Sequence, residues 1–581
     1  MARKISGRSY GGLLVLILAI ACLLWGCGRP EVARQRIALA LDNDIKTLNP
    51  VLVSDAYSSS VVGLMFSSMV TQNGKTGAIE PELAEKWEFK QDGKEIIFSL
   101  RPGLQWSDGQ PLTADDVLFT FKDVLYNLKI PTSSRDVIRI GKQRQLPQVE
   151  KLDRLRVRFT LPEPFAPLLR SVGGTTILPK HILQKSIETV DAQGKPEFLT
   201  TWAIGTPLAQ IVGSGPYLIS EYRPAERIVL SRNPYYYKKP QPYIPRFVYQ
   251  IVSSPDAALL RFRARDLDVF GLRAEDFQLL KPTEQRDRYR IFNGGPDTSQ
   301  SFVMFNLNLG RDQTGKPFVD PVKASWFQNL QFRQAIAYAI NRQAMIDSFY
   351  RGLGKLQNSP IPQLSPYFLA NGLPEYKYDP QRSQQLLSQA GFRYDAAKRL
   401  IDAQGNPVRF SLITGTGGRG VFLGAQIKTD LEALGITVDF TPIEFGTLID
   451  RLDNSKQWDM ALLGFTGGVE PHGSINLWAV DGDNHMFNKG ANAGEPEYAG
   501  RVVADWEQKI NDLMIAGSQE IDEAKRKQIY GEFQLLVRQQ LPLIHLVTPL
   551  YLVAIRDRLQ GAEPTAIGRA IWNLDQLRLV D

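Results

Sequence analysis

A glycine-rich turn between two apolar segments carries the most recognisable chemical motif in the chain. The turn from Gly415 to Gly420 has the spacing G-x-G-x-x-G, and it follows a predicted strand over 408–414 and precedes a predicted helix that ends at Leu434. A second predicted strand over 437–443 ends at Glu444. A βαβ unit with this layout can hold a dinucleotide, as an oxidoreductase requires. Such units are also common without a nucleotide, so we expect neither a nucleotide nor any other cofactor.

Histidine and cysteine, the usual metal ligands and nucleophiles, are scarce. The four histidines have no ligand spacing, and both cysteines lie near the N-terminus. No G-x-S-x-G motif occurs. The sequence therefore predicts a protein that is not an enzyme and has no metal site. The histidines are His181, His472, His485 and His545, and the cysteines are Cys22 and Cys27. We expect His472 to lie in a solvated loop.

The N-terminus has the layout of an export signal. Basic residues at positions 3, 4 and 8 precede an apolar run over 13–25, and Gly26-Cys27 follows. This order resembles a bacterial lipoprotein signal, so we expect residues 1–26 to be removed and Cys27 to be lipidated. Residues 27–36 would then tether the protein to the membrane. Trp25 departs from the usual small residue, and an uncleaved anchor is the alternative. Either way, the body lies in the periplasm or on the outer face of the cytoplasmic membrane.

Length and charge limit the possible classes. A chain of 581 residues is too long for one core, and we expect two or three domains. The formal net charge of +7 is modest for this size, and no basic run is interleaved with aromatic residues. We therefore expect no binding to nucleic acid.

The segment from Leu83 to Phe121 forms a small unit with clear boundaries. Apolar residues alternate over 87–89 and again over 96–100, which predicts two strands joined by a turn at Asp92-Gly93. Thr113 is placed to cap a helix, with Asp116 completing a capping box. The residues predicted to form the buried face of that helix are Val117, Phe121, Val124, Leu125 and Leu128.

This segment resembles the signature of the family 5 extracellular solute-binding proteins of ABC importers. The matching letters include WSDG at 106–109 and ADDV at 114–117. Further matches are LNP at 48–50, GSGPY at 213–217 and RNPYY at 232–236. A later helix with the sequence FRQAIAYAINR is also similar to the family. The resemblance runs from about Leu39 to Arg556.

The resemblance implies an α/β fold of the two-lobed periplasmic-binding-protein (venus flytrap) type with an additional inserted subdomain. We expect lobe I to comprise residues 37–75, 205–300 and 536–581. The inserted subdomain would be residues 76–204, and lobe II would be residues 301–535. Hinge closure around a ligand is the mechanism that this fold implies.

The resemblance also implies a ligand site between the lobes. The predicted ligand-binding residues are Asp55, Tyr57, Phe445, Phe465, Thr466, Gly467 and Trp478. In peptide-binding members, an aspartate after the cleft aromatic pairs with the ammonium of the peptide. Here Thr466 and two glycines follow Phe465, and Glu470 is the nearest acid. Since a desolvated ammonium needs a carboxylate, we expect generic free peptides to bind weakly.

The predicted function is a substrate-binding protein that delivers a peptide-like or other oligomeric solute to the transmembrane subunits of an ABC permease. The protein would be a monomer held at the membrane by its lipid anchor. A ligand sensor or extracellular chaperone of the same fold is the alternative.

Overall fold

Three large sheets, three two-stranded sheets and the helices around them make up the computed structural model, which describes residues 35–580 except 91–92, 133 and 492–494. The predicted signal peptide, Cys27 and most of the predicted tether lie outside the described residues. The tether's last predicted residue, Arg36, already belongs to the first strand. Within the described part of the chain, no helix combines the length and apolar character that crossing a bilayer requires.

The strands and helices are numbered in chain order. The strands are β1 (Arg36–Leu41), β2 (Val70–Gln72), β3 (Ile79–Pro81), β4 (Ala84–Lys90), β5 (Glu95–Leu100), β6 (Gln148–Lys151), β7 (Arg156–Thr160), β8 (Tyr217–Arg223), β9 (Arg227–Arg232), β10 (Arg246–Ile251), β11 (Val269–Gly271), β12 (Tyr289–Pro296), β13 (Gln300–Phe305), β14 (Gly354–Leu356), β15 (Arg393–Tyr394), β16 (Leu400–Ile401), β17 (Arg409–Gly415), β18 (Thr437–Ile443), β19 (Met460–Phe465), β20 (Ile544–His545), β21 (Val547–Arg556), β22 (Leu559–Gln560) and β23 (Arg578–Leu579). The helices are α1 (Ala56–Met65), α2 (Ala114–Phe119), α3 (Ser134–Val137), α4 (Lys180–Glu188), α5 (Pro255–Arg263), α6 (Ala274–Leu280), α7 (Glu284–Asp287), α8 (Pro321–Gln328), α9 (Leu330–Ala339), α10 (Arg342–Ser348), α11 (Pro380–Gln389), α12 (Gly418–Glu432), α13 (Phe445–Asp450), α14 (Ile475–Trp478), α15 (Asp505–Gln519) and α16 (Glu523–Gln540).

The sheet of lobe I has the order β12-β21-β11-β1-β10-β9-β8, and β14 pairs with the first residues of β21. β1 runs parallel to both β10 and β11, whereas the other pairs are antiparallel. The register places Leu39 beside Tyr249 on one side and Val269 on the other. The carboxyl ends of three parallel strands therefore meet at one edge of this sheet.

The sheet of lobe II has the order β18-β17-β19-β13-β20. β17 is parallel to β18 and β19, whereas β13 is antiparallel to β19 and β20. Phe305 and Phe410, on β13 and β17, pack edge to face with ring centroids 5.5 Å apart. They belong to an apolar core built entirely from residues 302–547. Lobe II thus has its own core.

The inserted sheet has the order β4-β5-β7-β6 and shares one continuous apolar core with lobe I. Its strands and α2 follow the predicted pattern: Ile96, Phe98 and Leu100 are buried. The predicted capping box of Thr113 and Asp116 is present. Leu128 was expected on the buried helix face but is 75% exposed, because the helix ends before it. The shared core ties the subdomain to lobe I.

The chain passes between the lobes between β12 and β13 and between β20 and β21, and β14, within the lobe II segment, also pairs with the start of β21. The predicted start of the return to lobe I at residue 536 is wrong, since it falls inside α16. The chain remains in the lobe II sheet through His545, which pairs with Phe302. The other predicted domain boundaries remain predictions.

Candidate functional site

The carboxyl ends of β18, β17 and β19 form one edge of the lobe II sheet, and we call this the cleft edge. Because these strands are parallel, the segments that follow them lie side by side. Phe445 follows β18, the glycine-rich turn follows β17, and Phe465 ends β19. Crevices outside the carboxyl ends of parallel strands are common ligand sites. The topology therefore brings four of the predicted residues, Phe445, Phe465, Thr466 and Gly467, to one edge.

Phe465 and Phe445 differ in how firmly they are held. Phe465 is half-buried against Phe302, with ring centroids 5.5 Å apart. Phe445 is 57% exposed and lies beside Gly415. Phe465 can therefore act as a supported wall, whereas the ring of Phe445 is free to contact a ligand.

The loop after Phe465 has no carboxylate at the cleft edge and little room for one at its centre. A Cβ added to Gly467 would lie 1.9 Å from the carbonyl oxygen of Thr298, so this position excludes a side chain unless the backbone moves. A Cβ added to Gly468 would meet nothing within 4 Å. Thr466 is exposed. An acidic side chain is therefore sterically excluded at position 467 but would fit at position 468.

Glu470, the nearest acid, is already paired. Its Oε1 accepts from Arg526 Nη2 at 2.6 Å and its Oε2 accepts from Arg526 Nη1 at 3.1 Å. Oε1 also accepts from the backbone N–H of His472 at 3.1 Å. The Glu470 side chain is 11% exposed. This carboxylate points inward and is not available to a ligand ammonium.

In lobe I, Asp55 and Tyr57 lie at the start of α1. Asp55 caps the helix, because its Oδ1 accepts from the backbone N–H groups of Tyr57 at 3.0 Å and Ser58 at 2.8 Å. Its Oδ2 is buried and has no hydrogen-bond partner among the described residues. Tyr57 is half-buried against the lobe I core. Capping and packing therefore explain most of what these two side chains do.

Trp478 was predicted to be a wall of the cleft, and this prediction is wrong. The side chain is 1% exposed. Its ring packs edge to face against Phe533 of α16, with centroids 5.3 Å apart. Trp478 belongs to the core of lobe II because α14 turns it away from the cleft edge.

The glycine-rich turn is part of the cleft edge, and sequence reasoning missed the arginine within it. A Cβ on Gly420 would approach Thr414 Oγ1 at 2.7 Å, so this glycine allows α12 to pack closely on β17. Arg419 is exposed, and its Nη2 lies 3.5 Å from the position of a Cβ on Gly464, the residue before Phe465. The sequence pattern was weighed only as a possible dinucleotide site, and no sequence signal marked this guanidinium.

Glu444, the acid that a dinucleotide site would need, instead caps α13. Its Oε2 accepts from the backbone N–H of Thr447 at 3.0 Å. Backbone hydrogen bonds from Gly446 and Thr447 lower the pKa of Glu444, and the ammonium of Lys46 in lobe I lowers it further. Glu444 of lobe II therefore lies within electrostatic range of Lys46 of lobe I.

A second contact joins the inserted subdomain to lobe II, and His472 lies at its centre. The prediction of a solvated loop histidine is wrong, because this ring is 3% exposed. It packs edge to face on Phe165 at 4.9 Å, and its Nε2 lies 3.1 Å from the carbonyl oxygen of Val137. Burial lowers the pKa of His472 to about 3. The imidazole is therefore neutral, with Nε2–H donating to Val137.

Charged groups surround this contact. Asp136 accepts from Arg144 at 3.2 Å, and Arg144 also lies 3.7 Å from Asp481 of lobe II. Burial, opposed by Arg144 and reinforced by the Asp483 carboxylate of lobe II, raises the pKa of Asp136 to about 6. The backbone N–H of Ala166 donates to the carbonyl of Ser518 at 2.8 Å. The two bodies thus touch through hydrogen bonds, rings and charges.

A cavity of about 700 Å³ lies within lobe I, away from the cleft edge. Its lining residues come from lobe I and, at Glu80 and Glu82, from the start of the predicted inserted subdomain, and the predicted ligand residues are not among them. This cavity is therefore separate from the space between the lobes. In the described part of the chain, no three histidine, cysteine or acidic side chains form a group that could hold a metal ion.

The chain matches a known protein family and several known proteins. The family model for bacterial extracellular solute-binding proteins, family 5, middle region, matches residues 78–486. A probable ABC transporter-binding protein of Deinococcus radiodurans is 28% identical over 545 residues, which cover 89% of this chain and 87% of that protein. Di/tripeptide-binding protein 3 of Pseudomonas aeruginosa is 25% identical over 502 residues, 84% of each chain.

A solved structure confirms the predicted fold class. The oligopeptide-binding protein AppA from Bacillus subtilis, in complex with a nonapeptide, superposes with a TM-score of 0.75 at 20% identity. The match covers 94% of this chain and 99% of AppA. An α/β architecture with two lobes is common to both.

Proposed function

Because the chain belongs to the family 5 bacterial extracellular solute-binding proteins and is a substrate-binding protein of an ABC importer, we propose that it captures its solute between the cleft edge of lobe II and the start of α1 in lobe I. The protein works outside the cytoplasm, with an ABC permease as its partner. Its relatives are binding proteins rather than enzymes. The proposed contacts are Phe445, Phe465 and Thr466, with Asp55 and Tyr57 opposite.

The proposed ligand is a peptide-like or other oligomeric solute without a free ammonium group. The relative from Pseudomonas aeruginosa is named for di- and tripeptides, which supports a peptide-like solute. A ligand without a free ammonium is favoured because the carboxylate of Glu470 is not available to bind one. It is already paired with Arg526 at 2.6 Å. Burying an ammonium without a carboxylate partner costs several kcal/mol, on the order of 2–7 for a polar group alone. The exposed Arg419 favours a ligand that carries a carboxylate instead.

Calorimetry with short peptides tests this proposal. We expect free di- and tripeptides to bind weakly, and the same peptides to bind no more weakly after N-acetylation. Binding at micromolar affinity or tighter, about −8 kcal/mol, that disappears on N-acetylation would overturn the proposal. A native mass spectrum of protein purified from its own host would identify a retained solute.

We also propose that the protein is a monomeric lipoprotein held at the outer face of the cytoplasmic membrane through Cys27. The support is the order of basic residues, apolar run and Gly26-Cys27 in the sequence. Replacing Cys27 with alanine should leave unprocessed precursor and abolish labelling by radioactive palmitate. Unchanged labelling would exclude Cys27 as the acylation site.

A further inference from the structure

The cavity within lobe I has the composition of a small-molecule site. Its volume of about 700 Å³ is within the usual range for ligand pockets. Its floor is apolar and comes from the sheet: Leu39, Tyr249 and Val269 line it, and the strand register places them side by side. Trp572 belongs to the C-terminal segment over 568–576 that closes the other side.

The cavity also contains buried polar atoms that lack partners. Gln72 Nε2 and Asn573 Oδ1 are both buried, and neither has a hydrogen-bond partner among the described residues. Asn573 is 4% exposed, and its Nδ2 donates to the carbonyl of Gly561 at 2.8 Å, so only the oxygen is left over. Both atoms have almost no accessible surface, so they lie behind the cavity wall and would not contact a ligand themselves.

The lining residues that take part in no ion pair give the cavity a net negative charge. Lys238 Nζ lies 2.9 Å from Asp575, Arg569 pairs with Asp297, and Arg273 lies 2.8 Å from Asp276. Three lining acids remain without an ion pair among the described residues. These acids are Asp42, Glu80 and Glu82.

Glu82 is half-buried, whereas Asp42 and Glu80 are exposed. Its Oε2 accepts from the backbone N–H of Ser68 at 3.1 Å. Burial raises the pKa of Glu82 to about 7, although hydrogen bonds from Ser67 and Ser68 and the ammonium of Lys238 lower it. A cation placed in the cavity would offset this burial cost, whereas an anion would add to it.

We propose that the lobe I cavity is a second binding site, distinct from the cleft between the lobes, for a small organic amine. The ammonium lies beside the Glu82 carboxylate, and the apolar body lies on Leu39, Tyr249 and Val269. The aromatic faces suit a cation as well as an apolar group. Because all lining residues lie outside lobe II, binding here does not require closure of the lobes.

Phenethylamine and phenethyl alcohol are the probes that test this site, since they share an apolar body and differ in charge. Calorimetry on the mature wild-type protein should show submillimolar binding of the amine and at least tenfold weaker binding of the alcohol. Glu82→Gln keeps an oxygen for the Ser68 N–H and removes the charge. This variant should lose at least tenfold in affinity for the amine and leave the alcohol unchanged.

A steric block provides an independent test. Gly63 of α1 lines the cavity, and a Cβ there would meet nothing within 4 Å. Gly63→Phe should fill the cavity and abolish amine binding, whereas the matched Gly63→Ala variant should retain it. Equal affinities for the amine and the alcohol, or amine binding that survives both Glu82→Gln and Gly63→Phe, would overturn the proposal. Absence of binding to wild-type protein at millimolar amine would also overturn it.

Discussion

At the scale of single residues, the two glycines after Phe465 have different reasons to be glycine. Gly467 cannot carry a side chain because the Thr298 carbonyl occupies the space, whereas Gly468 opens onto free space. Position 468 can therefore accept the carboxylate that the cleft edge lacks. This difference makes the proposed ligand preference testable by a single substitution.

We expect Gly468→Asp to create binding of free dipeptides, because it adds a carboxylate for the peptide ammonium next to Phe465. Affinity for free dipeptides should rise at least tenfold, and N-acetylated dipeptides should gain nothing. Gly468→Asn is the matched control, with the same shape and no charge. If both variants bind free dipeptides equally, charge at this position does not determine ligand preference. Calorimetry measures all four combinations.

Two aromatic residues of lobe II should respond to alanine in opposite ways. Trp478 is buried against Phe533, so Trp478→Ala should lower the free energy of unfolding by about 3–5 kcal/mol. Phe445 is 57% exposed, so Phe445→Ala should leave the stability nearly unchanged and weaken binding of the solute that copurifies with the protein. Denaturant unfolding and native mass spectrometry measure the two effects. A stable Trp478→Ala protein would contradict the burial of this ring.

The sequence could not distinguish these two aromatics, for a physical reason. Phe445 follows β18 and Trp478 lies in the segment that follows β19, so both resemble cleft walls by position. Burial of Trp478 depends on Phe533, which is distant in sequence and lies on another helix. Burial of His472 likewise depends on Phe165 in a different body of the molecule.

At the scale of elements, the predictions that depend on residues close in sequence agree with the structure. The capping box of Thr113 and Asp116, the alternating strand β5 and the βαβ unit of β17, α12 and β18 are all present where the pattern predicted them. Each depends on residues that are close in sequence. The return from lobe II was predicted too early because no glycine marks the end of α16. The helix ends at Gln540, and Leu541 then adopts a left-handed conformation.

The contact of α3 with α14 and His472 should respond to pH. Burial in the contact lowers the pKa of His472 to about 3 and raises that of Asp136 to about 6. On opening, the pKa of histidine returns to about 6.5 and that of aspartate to about 3.9. Acidification below pH 6.5 therefore favours the open form through His472, whereas acidification below pH 6 favours the closed form through Asp136.

The two effects oppose each other, so single variants should separate them. His472→Gln removes the histidine titration, and its closed fraction should rise as the pH falls from 7.5 to 5. Asp136→Asn removes the other effect, and its closed fraction should fall over the same range. Small-angle scattering reports the closed fraction from the radius of gyration. Identical pH profiles for wild type and both variants would show that this contact does not titrate.

At the scale of the whole molecule, the shared core makes two moving bodies rather than three. Lobe I and the inserted subdomain pack around one set of apolar residues, whereas lobe II has a separate core. Two crossing segments join the bodies. We therefore expect closure to be a rotation of lobe II against lobe I and the inserted subdomain, with the contact between Ala166 and Ser518 formed in the closed state.

A disulfide across that contact should hold the molecule closed. The Ala166 N–H donates to the Ser518 carbonyl at 2.8 Å, and the chain has only the two N-terminal cysteines. Oxidised Ala166→Cys/Ser518→Cys protein should retain its copurified solute through dialysis and release it after reduction, because the exit between the lobes is blocked. Each single-cysteine variant is the control. Release from the oxidised double variant at the wild-type rate would show that the solute leaves by another route.

The position of β21 has a consequence for the order in which the protein can be made. In the lobe I sheet this strand lies between β12 and β11, yet it is synthesised after every strand of lobe II. A growing chain can therefore complete the second lobe while the first still has a gap in its sheet. Lobe I therefore begins first and is completed last. A chain released at His545 would have a complete lobe II and a lobe I sheet that lacks β21 between β12 and β11.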